Sequence, residues 1–337
     1  MDDSLTKNFL RGLAFILLTL VVPFLLTRLL NNNNQIGKEI PPLDDIRIQA
    51  STISNATIDF DTYVTGVILA SIPYGYEYET IKAQAVIART YALKNISICN
   101  QYSSKNTYTA SELGLPYIDS SSFLMNTKGQ DSKSFLANVK KAVSDTKNQV
   151  ITYKNNLITP LYFRTSAGCT RDCTDLFSTS IPYLKSVDSS QDVESPDYIK
   201  ISLFTIDSVI EALQKAFSNH LLDASDYDYQ VYETLPLTTS NFFDSIEITK
   251  RDHAGYVLSI SLGGILVSGD SFAEALCLTS SCFYIENYDK NVRLISNGFG
   301  HGIGFSQYGA NYLTQKKQYN YIDLLKYYFS GIKVQEF

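Results

Sequence analysis

Residues 79–93 read Glu-Thr-Ile-Lys-Ala-Gln-Ala-Val-Ile-Ala-Arg-Thr-Tyr-Ala-Leu, with no glycine or proline among them. Strong helix formers fill this stretch, and apolar side chains recur at Ile81, Ala85, Ala88 and Ala92, so it predicts a helix with a buried face. An acid, Glu79, opens it, and Lys82, Gln84 and Arg89 are spread over the following turns. A loop with Pro73, Tyr74, Gly75, Tyr76 and Tyr78 precedes it. An acid at such a junction has two readings, a catalytic carboxyl or an ordinary helix cap. As a proton donor Glu79 must hold its proton. Desolvation by the tyrosines favours that form, and the helix N-terminus opposes it.

The chain has 337 residues, 45% of them hydrophobic, enough to bury the core of one large domain or two. A formal charge of −6 without a basic run excludes nucleic acid as the main partner. Near the start, residues 12–27 form an apolar run that Phe9, Leu10, Leu29 and Leu30 extend, with Arg11 and Arg28 placed to snorkel. About 20 such residues cross roughly 30 Å of hydrocarbon. No small-residue cleavage site follows Thr27, so an uncleaved signal anchor is expected. Lys7 and Arg11 favour a cytoplasmic N-terminus. The expected organisation is a cytoplasmic tail (1–8), a transmembrane signal anchor (9–30), a stiff polar linker (31–45) and an ectodomain (46–337) outside the membrane.

Along the ectodomain, alternation over 46–60 predicts a strand or hairpin, and 61–70 a helix with Asp61 near its cap. Residues 100–130 read as loop with short elements, and 132–145 as a helix. A hairpin is expected from 149–153 and 157–163, leading into the loop 164–173. An amphipathic helix over 208–220, a second hairpin over 246–267, a short helix from Gly269 and helices over 306–317 and 321–329 follow. Strands and helices alternate without regular βαβ units, so the expected class is α+β.

Glycines at Gly298, Gly300, Gly302 and Gly304 surround His301, with Ser306 and Gln307 just beyond. Such a loop either brings backbone close to a ligand or makes a tight turn around a core histidine. The spacing is not that of a nucleotide fingerprint. Cys169 and Cys173 are candidates for a zinc site, a disulfide or free thiols, and the odd total of five cysteines excludes complete internal pairing. Three histidines and no Gly-x-Ser-x-Gly elbow argue against a serine hydrolase.

Five stretches together resemble the stage II sporulation protein D family, which is related to the amidase-enhancer proteins of bacterial cell walls. They are Tyr63-Val64-Thr65-Gly66-Val67 with Pro73; Glu79-x-x-Lys82-Ala83-Gln84-Ala85-x-x-Ala88-Arg89-Thr90-Tyr91-Ala92; Thr165-Ser166-Ala167-Gly168; Pro182-Tyr183-Leu184-Lys185-Ser186-Val187; and the run from Gly298 through His301 and Tyr308 to Ala310. The resemblance implies a membrane-anchored lytic transglycosylase with a two-lobed ectodomain and a glycan groove. It would cut the β-1,4 bond between N-acetylmuramic acid and N-acetylglucosamine in peptide-stripped peptidoglycan and leave 1,6-anhydro ends. Glu79 takes the place of the family's single catalytic glutamate. Tyr74, Tyr76, Lys82, Gln84, Arg89, Thr165, Ser166, His301, Ser306, Gln307 and Tyr308 would bind glycan. No cofactor is required. The implied setting is engulfment during endospore formation, between mother cell and forespore, with a cell-wall amidase and membrane proteins of the engulfment machinery as partners. The chain departs from the family's pattern in having Ser71 where an acid is usual and Arg164 where a histidine is common, and the latter removes an expected zinc ligand. The rival reading is a non-catalytic glycan-binding amidase enhancer or scaffold.

Overall fold

The computed structural model describes residues 40–50, 57–101, 105–127, 129–176, 180–217 and 234–337. The expected tail, anchor and start of the linker lie outside the described residues. Among the described residues no helix is long and apolar enough to cross a membrane. The class is α+β, as expected, and the chain forms two compact units. One contains the residues up to Pro160 together with Tyr319–Lys326 and Gly331–Phe337, and the other Leu161–Gln318 with Tyr327–Ser330.

In the first unit, β1 (Arg47–Gln49) pairs antiparallel with β2 (Thr57–Asp59), and β3 (Thr107–Thr109) joins β1 in parallel. Phe60, expected to end the hairpin, is already the first residue of helix α1 (Phe60–Ser71). The cap is Asp59 rather than Asp61: its carboxylate accepts the Thr62 N–H at 2.8 Å and its backbone is extended. Helix α2 (Tyr78–Asn100) is the hub, and it runs past the expected end at residue 93. It is buried nearly all round, with Ile81, Ala85, Ala88 and Ala92 on the predicted face and Val86 and Ile87 opposite. Its alanines let α1, α3 (Gln130–Asp145) and β4 (Gln149–Tyr153) approach closely. The Thr90 hydroxyl accepts the Ile151 N–H at 2.9 Å and ties helix to strand. Strand β4 lies between β5 (Asn156–Leu157) and the C-terminal strand Lys333–Glu336, both antiparallel.

The hairpin expected over 149–163 stops short. After Leu157 the chain leaves the sheet, and Pro160 has no N–H to give a ladder. Tyr162–Phe163 pairs instead, in parallel, with Phe305–Ser306 in the second unit.

Among its described residues the second unit holds two three-stranded antiparallel sheets. In one, β8 (Ile246–Arg251), β9 (Val257–Leu262) and β10 (Ile265–Ser268) make a meander; the expected hairpin gains a third strand because Gly263 and Gly264 take positive φ and form a second tight turn. In the other, β12 (Asn291–Asn297) lies between β11 (Phe283–Tyr288) and β7 (Ile199–Thr205). Helices Ile206–Phe217 and Gly269–Ala275 pack with these sheets over a core including Val209, Leu213, Phe242, Phe272, Phe283 and Leu294. The amphipathic helix is described as far as Phe217, and residues 218–220 lie outside the described residues.

Candidate functional site

Gly75, at φ +83°, turns the loop before α2, and Glu77 occupies the N-cap position without a side-chain capping bond. Glu79 follows in the first turn and aims both carboxylate oxygens at donors. Oε1 lies 2.6 Å from Lys82 Nζ, and Oε2 accepts the backbone N–H of Tyr321 at 2.9 Å. Glu79 therefore caps the start of the Tyr321–Tyr328 helix, 242 residues further on, rather than its own helix. The side chains of Glu79 and Lys82 keep 28% and 16% exposure, so the pair remains partly open to solvent.

Two tyrosine rings enclose Lys82. Its ammonium stands 5.4 Å from the Tyr78 ring centre and 4.6 Å from that of Tyr321, within cation–π range. Each ring is held from behind. The Tyr78 hydroxyl donates to Asp145 at 2.8 Å and accepts from Lys141 at 3.0 Å, and the Tyr321 hydroxyl donates to Gln149 at 2.9 Å. Desolvation raises the Tyr78 pKa, with the Lys141 bond opposing and Asp145 adding, so the ring carries a neutral phenol. A carboxylate held by a lysine and a backbone amide, beside two aromatic faces, is placed to take a proton from a ligand laid over the rings.

The other predicted residues of this unit lie differently. Tyr74 is half exposed and rests on Phe135, ring centres 5.2 Å apart, while Tyr76 is half-buried against the core. Gln84 and Arg89 are fully buried. Arg89 donates to the carbonyls of Val143 (3.1 Å) and Gln149 (3.3 Å), with Asp61 at 3.8 Å, and so caps the end of α3. The structure thus brings Glu79 and Lys82 together and turns Gln84 and Arg89 inward.

In the second unit, Thr165, Ser166, Ser306 and Gln307 are buried as well. Asp192 organises them: its Oδ2 accepts the Ser166 N–H at 2.6 Å and the Ser306 hydroxyl at 2.7 Å. Burial raises the Asp192 pKa, and these bonds oppose it. Ser306 is also the N-cap of the Gln307–Lys317 helix, accepting the Gly309 N–H. The four glycines of the Gly-rich loop all take positive φ, and what they approach is the protein itself. A Cβ on Gly302 would stand 2.5 Å from the Tyr256 ring, and one on Gly304 2.4 Å from the Leu161 carbonyl oxygen. The loop is a strap laid on the 161–167 segment. His301, half-buried inside it, accepts the Ile303 N–H at Nδ1 (3.1 Å) and lies against Phe163. Burial, reinforced by the Arg171 charge, pushes its pKa down to about 4, which leaves a neutral ring at neutral pH. Tyr308 keeps partial exposure.

All five cysteines are free. Burial pushes the Cys173 thiol up to about 12 and raises that of Cys169 too. Arg164 pairs with Asp197 at 2.8 Å. Sequence reading missed Tyr321, Gln149, Lys141, Asp145 and Asp192 as partners of these residues. Tyr321 opens a helix that the sequence does predict, but no local pattern tells that its N–H meets α2.

Residues 49–153, which contain Glu79, Lys82 and both stretches that hold Lys141 to Gln149, match the family model described as Stage II sporulation protein, so this part of the chain is a domain of that family. The similarity to particular members runs further. The chain is 28% identical over 291 residues to Stage II sporulation protein D of Bacillus amyloliquefaciens, covering 86% of this chain and 77% of the relative. It is also 28% identical over 304 residues to Stage II sporulation protein D of Bacillus subtilis (strain 168), covering 89% and 82%. A more distant relative, the Amidase enhancer of Bacillus subtilis (strain 168), is 24% identical over 299 residues, 79% of this chain and 39% of the relative.

Proposed function

We propose that the chain is a peptidoglycan lytic transglycosylase acting in sporulation, with Glu79 as its single acid and base. The observation that carries this is the placement of Glu79: a partly exposed carboxylate, oriented by Lys82 and the Tyr321 amide, beside the Tyr78 and Tyr321 rings, within the Stage II sporulation protein domain. Aromatic faces suit the apolar faces of sugar rings, and a single carboxyl suffices when the substrate brings its own nucleophile. Glu79 gives its proton to the glycosidic oxygen as the C1–O4 bond of N-acetylmuramic acid breaks. Its carboxylate then takes the proton of the same sugar's 6-hydroxyl as the O6–C1 bond closes. No water is consumed, and Glu79 returns to its protonated state. In this reading Tyr78 and Tyr321 carry a sugar ring, Lys82 orients the acid, and the buried Gln84, Arg89, Thr165, Ser166 and Ser306 hold their elements in place.

The apolar run 9–30 would anchor the chain so that this unit meets the wall outside the cytoplasmic membrane, beside an amidase that strips the glycan. The test is Glu79→Gln, which keeps an acceptor for the Tyr321 N–H but has no proton of comparable acidity to give. The variant should stay folded and lose release of anhydro-muramic ends from amidase-treated wall, read by mass spectrometry. Unchanged release would sink the assignment. The similarity to the Amidase enhancer favours a second reading, glycan binding that stimulates an amidase. That reading predicts amidase stimulation by wild type and Glu79→Gln alike, without new anhydro ends.

A further inference from the structure

At rest, the acid proposed for catalysis is engaged by a cation. Glu79 Oε1 lies 2.6 Å from Lys82 Nζ, and Oε2 holds the Tyr321 amide, so both oxygens act as acceptors. A carboxylate in that state has no proton to give. Lys82 is also poised for something other than Glu79. Its ammonium lies over two aromatic rings, and its side chain keeps 16% exposure beside a Glu79 side chain that keeps 28%. The neighbouring cation, Lys141, already has Asp145 at 2.7 Å. Overall the chain is acidic, with a formal charge of −6, so a local positive charge is what would favour an anionic ligand here.

We propose that Lys82 is the substrate reader of this site: it exchanges Glu79 for a free carboxylate on the glycan, and that exchange frees Glu79 to become the acid. This rests on the reading of Glu79 as proton donor. The carboxylate is the lactyl group of N-acetylmuramic acid, which is free once the peptide has been removed and is an amide while the peptide is attached. It sits on the ring whose C1–O4 bond breaks. When it pairs with Lys82, the ammonium leaves Glu79 Oε1, and a second negative charge comes close to Glu79. Both changes favour the neutral acid, and Glu79 takes its proton from solvent. The backbone N–H of Tyr321 stays on Oε2 and keeps the carboxyl aimed while Lys82 swings between partners. The tyrosine rings lower the cost of the exchange, since a cation over π faces loses less on leaving one anion for another. The specificity follows directly: an amidated lactyl group offers Lys82 no charge, so Glu79 stays paired and idle.

The test uses the full-length chain and peptide-stripped glycan strands in two forms, with the lactyl carboxylates free or converted to methylamides by carbodiimide coupling. Wild type should release anhydro ends from the free form with kcat/KM about tenfold or more above the methylamide form. Lys82→Met should lose that preference, and Lys82→Arg should keep most of it, with circular dichroism showing both variants folded. Equal cleavage of the two glycans by wild type, or a preference retained in Lys82→Met, overturns the proposal. Binding separates this from failure of the transglycosylase reading. If wild type releases no anhydro ends from either glycan, that reading fails. The role of Lys82 is then decided by glycan binding to Glu79→Gln, measured by sedimentation. Several-fold tighter binding of the free-carboxylate form, erased by adding Lys82→Met, supports the reader, and equal binding of both forms refutes it.

Discussion

Arg89 stands in the middle of the helix motif, and the structure gives it a job that can be measured. Its guanidinium is fully buried and donates to Val143 O at 3.1 Å, Gln149 O at 3.3 Å and Thr146 Oγ1 at 3.5 Å. At about 1.5 kcal/mol for each hydrogen bond from a charged group, these contribute ~4–5 kcal/mol. Burial of the cation works against them. Desolvation lowers the Arg89 pKa from 12.5 to about 10 despite the pull of Asp61, a cost of ~3 kcal/mol at 1.36 kcal/mol per unit. Arg89→Ala removes both and leaves a cavity worth ~1–2 kcal/mol. The net expectation is a loss of about 2–3 kcal/mol. Arg89→Met, which fills the space but removes the guanidinium donor from the Val143 and Gln149 carbonyls, should lose about 1 kcal/mol. Hydrogen exchange read by mass spectrometry on peptides from residues 130–145 measures this where it acts, and urea unfolding measures it globally. The expected result is faster exchange at the end of α3, with glycan binding intact in molecules that remain folded. Full protection of α3 in Arg89→Ala, coupled with lost glycan binding, would refute the structural assignment and return Arg89 to the ligand surface.

Lys94 is 5% exposed, and burial lowers its pKa from 10.5 to about 8. Between pH 8 and 10.5 the unfolded chain binds the extra proton, so wild-type stability rises with pH across that window, and below pH 8 the full penalty is present. Lys94→Met should therefore raise Tm at pH 7, by up to ~3 kcal/mol in stability, and this advantage should vanish at pH 10.5; equal gains at both pH values would contradict the burial argument. Gly302→Ala combines a φ of +76° with a Cβ 2.5 Å from the Tyr256 ring, and should cost about 2–4 kcal/mol in urea unfolding; a change below 0.5 kcal/mol would show that the strap is not packed this way. In native labelling with iodoacetamide, exposed Cys277 should react well before buried Cys173 and Cys282, whose thiols burial pushes up to about 12 and about 11. Peptide mapping that finds Cys173 modified first would overturn that order.

What the sequence determined by itself was local. The helix at 79–93, the helices over 132–145 and 306–317, the turn residues at Pro73 and Gly75 and the α+β class follow from periodicity, propensity and turn chemistry, which act between near neighbours. The tight bending of the Gly-rich loop was legible from its glycines, but not that the backbone they let come close is the protein's own. Partners across the chain were decided by tertiary structure. A helix pattern shows that Arg89 and Gln84 are polar, but not that the packing of α3 and β4 leaves them inside. Nothing in residues 79–82 shows that Glu79 caps a helix beginning at Tyr321, since a backbone N–H has no signature in composition. The same holds for the rings around Lys82, one from its own helix and one from 239 positions on by residue number (321 − 82). Sequence placed Glu79 at the start of its helix, and the long-range fold decided that Lys82 and the Tyr321 amide hold it.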